Sequence, residues 1–277
     1  MVTLHTTFNM AFKMAFNKPP SPHIIPPTAP HTHTIIFLHG RGSTAATFCS
    51  ELFESEDTSV RKFTDIFPGI KWVFPAAPST YAVVDREVIP QWFDMTSVQR
   101  PHQDADSQKE ELWQSVAQIL EVLEEEMKPV GLRNVIIAGM SQGCATGIFT
   151  LVTSGIRVGG FMGLCGWLPL TEELSELMGV PGRERGVFEM PLLLQHCKDD
   201  EVVPWRNGEK LRKKLEEWGG GVEWKCFEEG GHWLNEPGGM DGLVEFIRAV
   251  MRASPIPIPV KEEKKEEAKP KFQSRDW

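Results

Sequence analysis

The middle of the chain alternates between short apolar runs and longer stretches whose apolar residues recur at helical spacing. The short runs have the length and residue types of buried strands. They cover residues 34–38, 72–74, 135–138, 160–164, 192–195 and 222–227. Because buried strands between helices form a mostly parallel sheet that is covered on both faces, the pattern predicts an α/β fold.

Three stretches predict helices. The clearest covers residues 107–128, where Ser107 and Glu110 have the spacing of a capping box at the start. Two further helices are predicted at 207–218, which a run of glycines follows, and at 240–252.

The two ends of the chain differ from this middle. Residues 1–33 show no periodic pattern and include a Pro-rich stretch, so they predict an N-terminal extension to a single domain at 34–253. Residues 254–277 begin with alternating prolines and continue as a mixed-charge run. Such a run has nothing to bury, so we expect a disordered charged tail.

Composition narrows the class of protein. The 277 residues carry a formal net charge of -9, which argues against a nucleic-acid partner. No apolar run approaches the roughly 20 residues of a spanning helix, so we expect no stable membrane insertion. The five cysteines are odd in number and irregular in spacing, which favours a reducing, cytoplasmic compartment.

The strongest chemical signal is the run from Gly139 to Gly143, with Ser141 at its centre. It follows a predicted strand and precedes a stretch that can form a helix, which is the context of a G-x-S-x-G nucleophile elbow. A serine hydroxyl there needs a base to take its proton and an acid to orient that base.

The candidate base is His232. After Ser141 the only histidines are His196 and His232. In folds that carry a nucleophile elbow, the catalytic residues follow the chain order Ser, acid, His. His232 follows the last predicted strand, and the glycines before it let the main chain turn the imidazole toward the serine. We expect His196 to orient its loop by hydrogen bonding.

The candidate acid lies in the loop after the strand at 192–195. Asp199, Asp200 and Glu201 compete for this role, and the residue pattern alone does not choose among them. We expect an aspartate that is not used to be a solvated turn residue.

An acyl-transfer site also needs two N–H donors for the oxyanion. The main-chain N–H of Gln142, directly after the serine, is one candidate. The other is the N–H of Arg41, in a Gly-rich loop at 39–43 that follows the first predicted strand.

A set of short motifs gives the chain a resemblance to the phospholipase/carboxylesterase family, which contains the acyl-protein thioesterases. The motifs stand in family order across roughly residues 34–250, and they are 37–43, 75–78, 91–94, 139–143, 165–169, 200–204 and 231–232.

The resemblance implies a single-domain α/β-hydrolase fold and cleavage of esters or thioesters with no metal and no organic cofactor. It implies Ser141 as nucleophile, Asp200 as acid and His232 as base, with Trp92 and Trp167 walling the acyl site. It also implies a homodimer as a possible assembly and an acylated protein as the substrate.

Three positions depart from the family pattern. Arg41 stands where a small apolar residue, often Leu, is typical, and Cys197 stands where Gly is typical. The segment 79–90, which corresponds to a lid-like loop, is not strongly apolar. At the mouth of the site, Arg41 either favours a substrate that carries a carboxylate or phosphate or simply points to solvent. The alternatives are therefore a carboxylesterase for a small-molecule ester and a non-catalytic ligand-binding protein.

Overall fold

The computed structural model describes residues 19–181 and 186–253. The predicted tail at 254–277 and residues 1–18 of the predicted extension lie outside the described residues. Within the described ranges, no helix has both the length and the apolar character needed to cross a bilayer.

Strands and helices alternate along the described chain. The strands are β1 His23–Ile25, β2 His33–Leu38, β3 Ile70–Phe74, β4 Ser79–Ala82, β5 Glu87–Pro90, β6 Val135–Met140, β7 Gly160–Leu164, β8 Leu192–Cys197 and β9 Val222–Phe227. The α-helices are α1 Ala45–Leu52, α2 Phe63–Ile66, α3 Ala105–Val130, α4 Gln142–Ser154, α5 Thr171–Gly179, α6 Trp205–Glu217 and α7 Gly238–Ala253.

Seven of these strands form one sheet in the order β1-β3-β2-β6-β7-β8-β9. All neighbouring pairs are parallel except β1, which pairs antiparallel with β3. The six predicted strands correspond to β2, β3 and β6 to β9, so the predicted α/β fold is confirmed. The strands β4 and β5 form a separate antiparallel hairpin.

The strand β1 lies inside the segment that the sequence separates from the domain. His23 pairs with Phe74 and Ile25 pairs with Trp72. The folded unit therefore takes in part of residues 1–33. A strand of three residues between prolines is too short to leave a periodic pattern in the sequence.

Successive residues of the central strands bury their side chains on opposite faces of the sheet. Ile36 and Ile137 pack in the layer that contains α3, α4 and α6. Ile35 and Ile136 pack in the layer that contains α1 and α7. Burial on both faces explains why these strands are apolar throughout rather than alternating.

The start of α3 differs from its prediction. The helix begins at Ala105, and its N-cap Asp104 has left-handed main-chain geometry and no side-chain cap hydrogen bond. Ser107 lies in the first turn and donates to the Asp104 carbonyl at 2.8 Å. The capping box predicted from Ser107 and Glu110 is therefore wrong, because the first turn forms two residues earlier.

Candidate active site

Ser141 lies between β6 and α4 with φ 55° and ψ -120°, a strained conformation for a residue with a Cβ. The glycines on either side make this turn possible. A Cβ on Gly139 would lie 2.3 Å from the Gly143 carbonyl oxygen, and one on Gly143 would lie 2.4 Å from the Leu38 carbonyl oxygen. The run therefore has the sharp strand-to-helix turn of a nucleophile elbow.

Asp200 and His232 are brought together by the loops that follow β8 and β9. His232 Nδ1 lies 2.7 Å from Asp200 Oδ2. The other carboxylate oxygen accepts the main-chain N–H groups of Val202 at 2.9 Å and Val203 at 2.8 Å. These bonds fix the carboxylate, and the carboxylate in turn fixes the imidazole with its proton on Nδ1.

The charge on Asp200 is stabilised by these contacts. Burial by itself raises the pKa of this carboxyl, but hydrogen bonds from His196 and His232 outweigh burial and hold the pKa well below its usual range. Asp200 is therefore an ionised partner for the imidazole at neutral pH.

Asp199 has a different position from the one expected for a solvated turn residue. Its carboxylate accepts the main-chain N–H groups of Gly230 at 3.1 Å and Gly231 at 2.9 Å. It therefore anchors the loop that carries His232. No local pattern in the sequence indicates this role, because the two loops are 31 residues apart and meet only in the fold.

His196 is buried beside Asp200. Its Nε2 lies 2.8 Å from the Val203 carbonyl oxygen and 3.1 Å from Asp200 Oδ2. Since Val203 offers only an acceptor here, Nε2 carries a proton and donates. His196 thus orients the acid loop by hydrogen bonding, as the sequence predicts.

The loop from His39 to Ser43 packs directly against the elbow. A Cβ on Gly40 would lie 3.4 Å from Ser141 Cβ. Among the residues that the structure describes, the main-chain N–H groups of Arg41 and Gln142 have no hydrogen-bond acceptor. Both groups are therefore free to donate to a ligand.

Buried polar contacts hold this loop in place. His39 Nδ1 lies 2.8 Å from the Gly40 carbonyl oxygen, and Nε2 accepts the Ala77 N–H at 3.1 Å. The Trp92 indole N–H donates to the His39 carbonyl at 2.8 Å. Burial lowers the pKa of His39, which keeps the ring neutral and able to accept.

The side chain of Gln142 was not singled out from the sequence and is fully buried. Its Oε1 accepts the Trp92 main-chain N–H at 2.9 Å, and its Nε2 donates to the Phe93 carbonyl at 2.6 Å. The residue after the serine thus fixes the segment that follows β5.

The Arg41 side chain is committed to the β4–β5 hairpin. Its Nε donates to Gln91 Oε1 at 2.9 Å, and its Nη2 pairs with Asp85 in the hairpin turn. Beside it, the Gly42 N–H donates to the Pro90 carbonyl at 2.8 Å. The Arg41 charge is therefore already paired within the chain, and a substrate carboxylate or phosphate would have to displace Asp85 to reach it.

The hairpin presents apolar side chains to solvent. The exposed fractions are 56% for Tyr81, 63% for Val83, 56% for Val84 and 65% for Val88. The exposed apolar side chains stand beside exposed polar ones, since Asp85, Arg86 and Glu87 of the same hairpin are exposed as well.

Trp92 and Trp167 are fully buried. Trp167 packs edge-on against Phe93, with ring centroids 6.5 Å apart. A cavity of about 520 Å³ begins at Leu168 and runs between α3, α5 and α6, and neither Ser141 nor the Asp200–His232 pair lines it. The candidate site is therefore located by the side-chain chemistry and main-chain geometry of its residues, and the cavity does not mark it.

Cys165 lies against the Asp200–His232 pair. One ligand-type atom from each of Cys165, Asp200 and His232 lies within 4.8 Å of the others. The Cys165 Sγ is also 3.6 Å from the Trp233 carbonyl oxygen. Burial raises the pKa of this thiol, and the nearby Asp200 charge raises it further.

Known proteins are similar to this chain in sequence and in architecture. The model of the phospholipase/carboxylesterase family matches residues 19–251. Acyl-protein thioesterase 1 of Schizosaccharomyces pombe is 31% identical over 189 residues, which cover 65% of this chain and 74% of that protein. Acyl-protein thioesterase 1 of Neurospora crassa is 27% identical over 232 residues, which cover 82% and 90%.

Solved structures agree with the sequence matches. Acyl-protein thioesterase 2 of Zea mays superposes with a TM-score of 0.68 at 25% identity, covering 83% of this chain and 98% of the other. A carboxylesterase of Bacillus cereus, at 14% identity and a TM-score of 0.60, shares the fold. The family match over most of the chain and the elbow that its sequence forms lead to one conclusion: this protein belongs to the phospholipase/carboxylesterase family and is a serine hydrolase of ester or thioester bonds.

Proposed function

We propose that Ser141 is the nucleophile, His232 the general base and Asp200 the acid that orients it. The observation that carries this proposal is the 2.7 Å contact between His232 Nδ1 and Asp200 Oδ2, made by a carboxylate that two main-chain N–H groups already hold. With its proton on Nδ1, the imidazole has a free lone pair on Nε2 for the serine proton.

The reaction would proceed through an acyl-enzyme. His232 Nε2 takes the Ser141 hydroxyl proton as Oγ attacks the acyl carbon. The bond to the leaving thiol or alcohol breaks, and the leaving group takes that proton from His232. Water then repeats the attack, the acid departs, and the Ser141 hydroxyl is restored. The described residues contain no hydrogen bond between Ser141 Oγ and His232 Nε2, a contact that often forms only when substrate is bound.

The oxyanion would be held by the main-chain N–H groups of Arg41 and Gln142. Their lack of acceptors among the described residues, and the packing of Gly40 against Ser141, support this assignment. Loss of one such donor typically costs about 2.7–4 kcal/mol of transition-state stabilisation.

A matched pair of variants tests the acid. Asp200→Asn removes the charge that orients His232, so kcat for p-nitrophenyl acetate should fall by about 10²–10⁴-fold. Asp199→Asn makes the same chemical change on the neighbouring residue, and kcat should fall by less than about tenfold because only the loop anchor weakens. A larger loss in Asp199→Asn would make Asp199 the acid.

A fluorophosphonate probe tests the nucleophile, because it reacts covalently with an activated serine. The wild type should be labelled, and Ser141→Ala and His232→Ala should not be. Labelling of folded Ser141→Ala, or none of the folded wild type, would refute the assignment.

The substrate that the comparisons favour is an acylated protein, cleaved at its thioester. The curated relatives named above are acyl-protein thioesterases. The exposed apolar side chains on the β4–β5 hairpin support an acyl chain as the group that is bound. Trp92 and Trp167 would support the acyl site from beneath rather than line its surface, since both are buried.

A carboxylesterase that acts on small esters is the second candidate, favoured by the absence of Ser141 from the lining of the 520 Å³ cavity. Rates on p-nitrophenyl acetate, octanoate and palmitate, compared with a palmitoyl-thioester peptide, separate the two. A strong preference for acetate would favour the small-ester enzyme. Failure of all four substrates with a correctly folded sample would favour a ligand-binding protein.

All five cysteines are free, which supports a cytoplasmic location for the protein. Fractionation of cells that express the full chain tests this. The homodimer implied by the family resemblance is tested by light scattering of the purified full chain.

A further inference from the structure

We propose that Cys165, Asp200 and His232 form a Zn²⁺-binding site whose occupancy inhibits the enzyme. One ligand atom from each lies within 4.8 Å of the other two. The inference goes beyond the proposed reaction, which needs no metal.

The donor set suits zinc. Thiolate sulfur, imidazole nitrogen and carboxylate oxygen are its protein ligands, and a site with three of them leaves a fourth position for water. The Trp233 carbonyl oxygen lies 3.6 Å from the Cys165 Sγ and adds one more oxygen atom beside the three ligands.

The three ligands are held by the surrounding structure. Cys165 directly follows β7 and has φ 50°, and its N–H is bonded to the Gln195 carbonyl at 2.9 Å. Asp200 is fixed by main-chain N–H groups and by His196, which would support the bound carboxylate as an outer partner. The loop of His232 is anchored as described above.

Binding needs the ligand side chains to adjust their separations. His232 Nδ1 and Asp200 Oδ2 are 2.7 Å apart, whereas nitrogen and oxygen ligands of a tetrahedral zinc ion are about 3.3 Å apart for bonds of about 2 Å. The His232 side chain is 20% exposed, so the ion has access from its side of the cluster. As zinc binds, the Cys165 thiol proton leaves to solvent, and the His232 proton moves through solvent from Nδ1 to Nε2, because zinc binds a neutral imidazole.

Occupancy would stop catalysis because zinc replaces the Nδ1–H bond to Asp200. The Nε2 of the zinc-bound imidazole would then carry the ring proton, so it would have no lone pair to accept the proton of Ser141.

The first test is inhibition of p-nitrophenyl acetate hydrolysis by ZnCl₂, with MgCl₂ as the hard-cation control and EDTA to reverse the effect. Each variant is compared with its own metal-free rate. Cys165→Ser and Cys165→Ala should raise the zinc concentration for half inhibition by at least about tenfold. Cys197→Ser, on the neighbouring strand, and Cys226→Ser should leave it unchanged.

No zinc inhibition of the wild type, equal inhibition by magnesium, or equal zinc sensitivity in the folded Cys165 variants would overturn the proposal. A loss of sensitivity in Cys197→Ser as large as in Cys165→Ser would also overturn this ligand set.

The second test does not depend on activity. Ser141→Ala keeps all three ligands, so calorimetry should detect zinc binding that Ser141→Ala/Cys165→Ser loses, and Co²⁺ should give a thiolate absorption band only with Cys165 present. Cys165-dependent binding without hydrolysis in the wild type would refute the proposed function and leave the metal site standing. Hydrolysis without metal binding would do the reverse.

Discussion

At the scale of single residues, the site depends on a few positions where an added Cβ atom would clash with neighbouring atoms. Gly143 is the clearest, since a Cβ there would lie 2.4 Å from the Leu38 carbonyl oxygen and 2.6 Å from that of His39. Both contacts are with main chain at the end of β2, which cannot move without shifting the loop that contains Arg41. Gly143 thus affects both the turn at Ser141 and the position of the loop that contains Arg41.

Gly143→Ala should therefore lower the free energy of unfolding by about 1–3 kcal/mol. It should also reduce the rate of fluorophosphonate labelling at least tenfold. Gly179→Ala is the control, because a Cβ at Gly179 has no neighbour within 4 Å. Urea unfolding and labelling rates measure both effects. Equal behaviour of the two variants would contradict the steric argument.

The depressed pKa of Asp200 links the site to acid stability. Its folded-state pKa lies below the ordinary 3.8 of the unfolded chain, so its contribution is fully present above that value and is lost as pH falls through the folded pKa. Asp200→Asn should cost about 1.5–3 kcal/mol of unfolding free energy at pH 7, through weakened bonds to His196 and His232.

Below pH 3.8 the stability difference between wild type and Asp200→Asn should shrink, because the unfolded wild type takes up a proton at Asp200 while its folded form keeps the carboxylate ionised, and the variant has no titrating group there. Urea titrations at several pH values between 7 and 2.5 measure this. A constant difference across that range would exclude Asp200 as the source.

At the scale of elements, the β4–β5 hairpin and the loop at 39–43 are joined by the Arg41 side chain and by the main-chain bond from Gly42 to Pro90. Arg41 reaches Asp85 and Gln91, while Gln91 Nε2 donates to Thr80 Oγ1 at 2.9 Å across the hairpin. Movement of the hairpin would therefore pull on the residue whose main-chain N–H is the proposed oxyanion donor. Arg41 departs from the family pattern, and its side chain links the hairpin to its own loop.

Arg41→Leu keeps the main-chain N–H but removes the side-chain bonds to Asp85 and Gln91, so that the Gly42–Pro90 main-chain bond remains. It should lower kcat/KM for p-nitrophenyl octanoate about two- to fivefold, the range expected for a partly exposed ion pair. Asp85→Ala should have the same effect, and the double variant no larger one. Glu87→Ala, on the same hairpin, is the control and should match the wild type. Additive losses would mean that the two residues act separately.

At the scale of the whole molecule, the sheet gathers the site from distant parts of the chain. Ser141 follows β6, Asp200 follows β8 and His232 follows β9, and the carboxyl ends of these parallel strands share one edge. The opposite flank of the sheet ends in β1, whose three residues cover the edge of β3.

A chain that lacks residues 1–31 should therefore be less stable than one that lacks only 1–18. Loss of the β1 pairing exposes main-chain groups of β3 and part of the layer around Trp72. The melting temperature should fall by about 2–8 °C, as expected for a loss of about 1–2 kcal/mol in a chain of this size. Equal melting temperatures would show that β1 adds nothing to the fold.

The sequence by itself determined the alternation of strands and helices and the sharp turn at Ser141, and it predicted the order Ser, acid, His. These follow from local chemistry: apolar runs bury on a sheet, and glycines permit a strained turn. The choice of Asp200 over Asp199 rested on family resemblance rather than on the local pattern.

Only the tertiary structure decided which neighbours each residue meets. It gave Asp199 its place under the His232 loop, paired the Arg41 charge with the hairpin, and set Cys165 against the acid–base pair. These contacts join residues at least 30 positions apart along the chain, so no window of sequence contains them. Which residues make these contacts depends on which side chains the folded sheet brings within bonding distance, and residue type alone does not decide it.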